Sequence, residues 1–391
     1  MKTTLLFSLF IVIALTIGSN TTWAADSKPA HHPNPELFLQ GALSGPATSE
    51  PCTLSNGTET NCYRLTIVGA PANADFTDGP YCPPSIDSTK KEGGMWIDGK
   101  GTVFEVDGEF IKNLAELYND DRWQMYDSET GEITVFKGAE GCSIAGDPKN
   151  APPTDNFCLE CTLDEMNGGI KRTILIPSEP VPLDTPAPIN RRKNIGVALN
   201  GVLFGPPAPI EFILGTYTLG LFDDCGGHGN PHEGYHYHAA TSCSEIIKQE
   251  DGHASQIGYA LDGYPIFAEL DAAGNASDTL DQCGGESDPV RGYHYHASSP
   301  DDNQIIACYT GEQGCMSEDP DAECDASTTN SSEGQSNGPG GGRPDIAAAA
   351  KKLGVSEDEL KQALGAPPPN FEKAADKLGI SAEQLQKALS R

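Results

Sequence analysis

Apolar and polar positions alternate in short runs along most of the chain, the two-residue period of strands with one buried face. Tyr63-Arg64-Leu65-Thr66-Ile67-Val68 and Ile133-Thr134-Val135-Phe136 are two such runs. Trp96-Ile97-Asp98-Gly99 and Phe104-Glu105-Val106-Asp107-Gly108 each end on Asp-Gly, which predicts tight hairpins. Phe110, Leu114, Leu117 and Tyr118 fall at helical spacing and predict one helix over 110–118. The period changes near the end of the chain. Ala349-Ala350-Lys351-Lys352-Leu353-Gly354-Val355-Ser356 returns 25 residues later as Ala374-Ala375-Asp376-Lys377-Leu378-Gly379-Ile380-Ser381. Gly354 and Gly379 stop helices, while Ser356 with Glu359 and Ser381 with Gln384 open new ones as capping boxes. Four short helices are expected there.

These patterns predict a mainly β (α+β) fold of disulfide-stapled, β-rich domains with a small C-terminal helical module. Residues 1–24 read as a signal peptide and 25–50 as a mobile leader containing His31-His32. A β-rich N-terminal domain is expected over 51–165 and a second, histidine-rich domain over 166–316. Residues 317–345 read as a flexible linker, and 346–391 as the helical repeat module, a candidate docking point for a protein partner.

Charge and cysteine content narrow the function. Acidic residues number 56 and basic residues 25, for a formal net charge of −31. A nucleic-acid binder needs the opposite balance. The tail is nearly neutral, with eight basic and seven acidic side chains over 343–391, so a DNA-reading role for its helices is not expected either. Lys2, the apolar stretch Leu5 to Ile17 and the small residues flanking Trp23 form an export signal. That stretch is short of the roughly 20 residues needed to span a bilayer, so no integral membrane protein is expected. A secreted or periplasmic location follows, and with it disulfides as the default for the twelve cysteines. Cys52/Cys62 and Cys315/Cys324 are spaced to close short loops. Cys158 and Cys161 have a redox spacing but lack the strand-then-helix setting, so a structural role is expected.

A duplication carries the chemistry. Asp223-Asp224-Cys225-Gly226-Gly227-His228 through Gly234-Tyr235-His236-Tyr237-His238-Ala239 aligns without gaps to Asp281-Gln282-Cys283-Gly284-Gly285-Glu286 through Gly292-Tyr293-His294-Tyr295-His296-Ala297, with 11 of 17 positions identical. Gly196–Val202 and Gly258–Tyr264 precede the copies as related hairpin signals, whose Asn200-Gly201 and Asp262-Gly263 favour type I′ turns. The two halves are expected to pack face to face around a pseudo-twofold axis. In a strand, residues i and i+2 share a face. His236 and His238 therefore form one claw, His294 and His296 a second, and the tyrosines point to the reverse face. Imidazole pairs of this kind suit copper or zinc. His228 and His232 are further candidate ligands, and Asp262 and Glu233 are candidate catalytic bases. Asp223, Asp224 and Asp281 are candidates to orient imidazoles. About one ion per chain is expected. The competing reading treats the histidines as core residues between tyrosines.

The residues Gly196–Phe204, Gly234–His238, Ile257–Ile266 and Gly292–His296 resemble the YHYH-domain family of exported proteins, over about 170–316. The segment Gly79–Pro83 through Trp96–Gly99 looks like an extension found in some longer members. The resemblance implies no general reaction. Many members have a looser second motif, so its intact form here implies two working claws.

Three functions fit these residues: a secreted copper or zinc binder, a metal-dependent hydrolase or oxidoreductase using the same histidines, or a non-catalytic interaction module. Gly-x-Ser-x-Gly, Walker, His-Glu-x-x-His and EF-hand patterns are missing from the chain. Hydrolases of those types are therefore unsupported.

Overall fold

Two short hairpins organise the largest sheet. In each, an Asn-Gly or Asp-Gly pair reverses the chain: β1 (Gly196–Ala198) and β2 (Leu203–Phe204) in the first half. The counterparts in the second half are β5 (Gln256–Ala260) and β6 (Pro265–Phe267). Type I′ turns are not what forms. Gly201 and Gly263 alone take positive φ, +86° each, and Ala198 N donates to Val202 O while Gly201 N donates to Ala198 O. This is a type I turn closed by a left-handed glycine, the three-residue alternative. Asn200 and Asp262 are thereby freed to bond tyrosines.

Each half adds a second hairpin: β3 (Gly227–Asn230) with β4 (Gly234–Tyr237), and β7 (Gly285–Asp288) with β8 (Gly292–His296). The strand order is β3-β4-β2-β1-β5-β6-β8-β7. β4 runs parallel to β2, and β8 parallel to β6. Val197 and Tyr259, equivalent in the two copies, are direct register partners, with Gly196 opposite Ala260 and Ala198 opposite Gly258. The pseudo-twofold axis passes between them. The halves therefore join edge to edge in one continuous sheet, not face to face. Joining this way pairs the backbone of both central strands, leaving no open edge at the axis.

The computed structural model describes residues 32–147, 150–151, 156–244, 246–331, 346–364, 371–381, 384–385 and 388. The expected signal over 1–24 and residues 332–345 of the expected linker lie outside these. The architecture is mainly β. A four-stranded antiparallel sheet combines Thr48–Thr53, Glu59–Ile67, Arg172–Pro177 and Cys315–Ser317. Its pairing of Glu59–Ile67 with Arg172–Pro177 crosses the boundary drawn at 165/166. Thr173-Ile174-Leu175-Ile176 is a continuous rather than alternating run, buried throughout, the pattern of a strand covered on both faces, and it lies between Glu59–Ile67 and Cys315–Ser317. Phe157–Leu159 likewise pairs with Thr218–Gly220.

Asp107-Gly108 starts a helix instead of a hairpin: the Asp107 carboxylate accepts from Phe110 N as an N-cap. The helix expected over 110–118 is split into Gly108–Lys112 and Leu114–Leu117. Residues 32–50, expected as a loose leader, pack on the sheet. Ala42 is fully buried, Leu39 N donates to Leu199 O, and Phe38 lies against Tyr259. Backbone bonds without periodicity hold this segment, so no pattern announced it. Residues 317–331 are not linker-like either. Arg64 donates to the carbonyls of Pro320 and Ala322, and Ala326–Ser331 is helical.

All twelve cysteines pair: Cys52–Cys62, Cys82–Cys158, Cys142–Cys161, Cys225–Cys243, Cys283–Cys308 and Cys315–Cys324. Cys158 and Cys161 thus staple different neighbours. In the tail, Ile346–Leu353, Glu357–Leu364 and Phe371–Leu378 are helices. Both capping boxes form. Leu360, Ala349, Ala374 and Leu385 make a small core of their own. The fourth expected helix lies mostly outside the described residues.

Candidate metal centres

The alternation of β4 sorts its side chains by chemistry. Tyr235 and Tyr237 enter the main core, where each ring contributes about 1.5–3 kcal/mol by burial. Their hydroxyls find partners, as buried tyrosines require: Tyr235 donates to Asp223 at 2.6 Å and Tyr237 accepts from Asn200 at 2.8 Å. The second copy repeats this, with Tyr293 donating to Asp281 and Tyr295 to Asp262. The glycine that opens β3 also follows from this packing. A Cβ on Gly227 would stand 2.6 Å from the Tyr235 hydroxyl.

His236 and His238 occupy the other face. His228 on β3 is the register partner of His236, and the donor nitrogens of these three residues converge. His236 Nδ1 bonds Gly234 O at 2.9 Å and His238 Nδ1 bonds Pro206 O at 2.6 Å. A carbonyl only accepts, so both Nδ1 atoms carry the hydrogen and both Nε2 atoms present lone pairs. Those two Nε2 atoms are 3.0 Å apart. Phe222, itself buried, covers the group at 4.8 Å from the His228 ring and 5.3 Å from the His238 ring. Burial lowers the pKa of His228 to about 3 and holds His238 well below its ordinary value. Both imidazoles are therefore neutral at physiological pH.

The second copy builds a related group with a different set of donors. Glu286 on β7 stands opposite His294, the place His228 takes opposite His236. The missing imidazole comes from His253, just before β5. His253, Glu286, His294 and His296 form one convergent group. The ring anchors repeat: His294 Nδ1 on Gly292 O, His296 Nδ1 on Ala268 O, His253 Nδ1 on Ala254 O. His294 and His253 bring their Nε2 atoms to 3.2 Å, and His296 Nε2 lies 3.1 Å from Glu286 Oε1. Burial brings His294 down to about 4 and lowers His296. Burial alone would raise Glu286, but hydroxyl donors from Thr279 and Ser277 outweigh it and hold its pKa below the usual carboxylate range.

The claws thus belong to two separate groups, each completed locally, so two candidate centres stand where about one ion per chain was expected. β4 and β8 are five strands apart in the sheet, roughly 24 Å at about 4.8 Å per step. Three imidazoles, or three with a carboxylate, suit zinc or copper. The closest nitrogen pairs have the roughly 3 Å spacing of neighbouring ligands on one ion with bonds of about 2.0–2.1 Å.

His232 is not part of either group. Its Nε2 bonds Gly146 O at 2.8 Å. Glu233 stands at the edge of centre one, its Oε2 3.6 Å from His236 Nε2. Asp262 is on the reverse face, fully buried and bonded by Tyr295 and Gly311 N. Asp223 and Asp281 serve tyrosines rather than imidazoles. Asp224 is exposed, and the cysteines beside it are disulfide-bonded. Sequence reasoning missed His253 and Glu286 as ligands. Glu286 had a signal, since it fills the aligned position of His228 with another ligand type. His253 has no counterpart in the first copy, and only the fold brings it in.

Residues 173–278 match the family model described as YHYH protein. The match contains centre one and ends before β7 and β8, which carry most of centre two. No match to the chain was found among curated proteins or among solved structures.

Proposed function

We propose that this YHYH-domain protein is an exported binder of copper or zinc, holding one ion in each half of its duplicated sheet. One observation carries the reading: the 3.0 Å approach of the His236 and His238 Nε2 atoms, both lone-pair donors because both Nδ1 atoms are spent on carbonyls. Two buried acceptors held that close repel unless they share a cation. Centre two repeats the arrangement with a carboxylate in place. Carbonyl anchors on Nδ1 of His236, His238, His253, His294 and His296 fix tautomer and ring orientation, the usual support for a ligating histidine. The fully paired cysteines support an oxidising compartment. The acidic excess also concentrates cations near the protein. Outside residues 343–391 and Lys2 it rises to −33, because that tail carries +1 and Lys2 another +1.

Elemental analysis of the full chain tests the binding reading. After exposure to copper or zinc it should retain about two ions, one per convergent group. His236→Ala and His294→Ala should each lose one, and the double variant both, with circular dichroism confirming the fold. A protein that takes up no metal, or single variants with undiminished metal, would sink the proposal.

A further inference from the structure

We infer that centre two takes a small, uncharged or cationic molecule from solvent as an added ligand to its metal. This rests on the metal-binding reading above. A cavity of about 370 Å³ lies beside centre two, within the size range of small-molecule sites. His253, Glu286 and His296, three of the four converging donors, line it. The side chains of His253 and Glu286 are 16% and 18% exposed, so an ion held there meets solvent through this cavity.

Centre one differs at an aligned position. Phe222, fully buried, covers its imidazoles, while the equivalent Leu280 is 36% exposed on the surface. Copy two is covered instead by the buried Phe267, which packs 4.8 Å from the His253 ring and 4.9 Å from that of His294.

The cavity also selects by charge. Asp251, Asp271 and Asn275 line it beside the histidines. Asp251 is paired to Arg291, but Asp271 has only backbone and amide donors. Carboxylates around a cavity of this kind repel anions and accept from N–H and O–H donors. Ser277 and Thr279 both bond Glu286 Oε2. They hold the carboxylate in place with Oε1 toward His296.

The test uses the full chain loaded with copper, titrated with neutral imidazole at pH 8 below the concentration that strips metal. Electron paramagnetic resonance should show a shift in the copper signal that His294→Ala abolishes, and none in the signal that His236→Ala abolishes. Azide should bind at least tenfold more weakly than imidazole. Asp251→Asn with Asp271→Asn should narrow that gap at least threefold. If two coppers bind and neither responds, if both respond alike, or if azide matches imidazole, the inference falls while metal binding stands. If no copper binds, both fall.

Discussion

At the scale of single residues, the tyrosine partners show how each copy solves one problem differently. Tyr237 is held by Asn200, and its counterpart Tyr295 by Asp262. The aspartate is fully buried, and burial raises its pKa to about 7 despite the hydrogen bonds it accepts. In the unfolded chain the same carboxyl ionises near 3.9. Between about pH 4 and 7 the native state therefore holds the extra proton, and this residue's contribution to stability is lost as pH rises through that window. Asp262→Asn installs the first copy's residue and removes the titration. The stability advantage of the native protein over this variant should shrink from pH 4 to pH 8, by up to about 1.4 kcal/mol per pH unit. Thermal melts across that range would read it, and a constant difference would refute the assignment.

At the scale of elements, each histidine-bearing hairpin depends on a glycine whose Cβ would run into a tyrosine hydroxyl of the neighbouring strand. The clash that a Cβ would meet is nominally worse at Gly285, 2.0 Å from the Tyr293 hydroxyl, than at Gly227, 2.6 Å from that of Tyr235. Distance alone gives the wrong ranking. Tyr293 is only partly buried and can swing out, whereas Tyr235 is 1% exposed and locked in the core. Gly227→Ala also meets the His236 carbonyl at 2.9 Å. Gly227→Ala should cost about 1–3 kcal/mol as overpacking, and Gly285→Ala clearly less. Urea unfolding of the two variants compares them directly, and a larger loss at Gly285 would contradict the packing argument.

At the scale of the whole molecule, edge-to-edge joining of the halves separates the centres. With copper in both, pulsed electron resonance should return a copper–copper distance on the order of 20–25 Å, from five strand steps of about 4.8 Å shortened by twist. Strong spin coupling, which requires a much closer pair, would mean the claws meet across a different interface. The tail has its own small core, so removing 346–391 should leave metal uptake unchanged.

The sequence by itself determined the β-rich class, the duplication, and the split of Tyr-His-Tyr-His into core and ligand faces. These follow from local rules: a two-residue period assigns faces, and aligned copies reveal a repeat. It also located the Cys52–Cys62 and Cys315–Cys324 loops, whose closure is short-range. Tertiary structure alone decided that the claws stay apart, that His253 joins His294 and His296, and that Asp262 serves a tyrosine. It also decided that residues 32–50 and 317–331 belong to the folded body. Each of these depends on which strands become neighbours, a choice made by long-range burial of runs such as Thr173–Ile176, and no spacing along the chain records it.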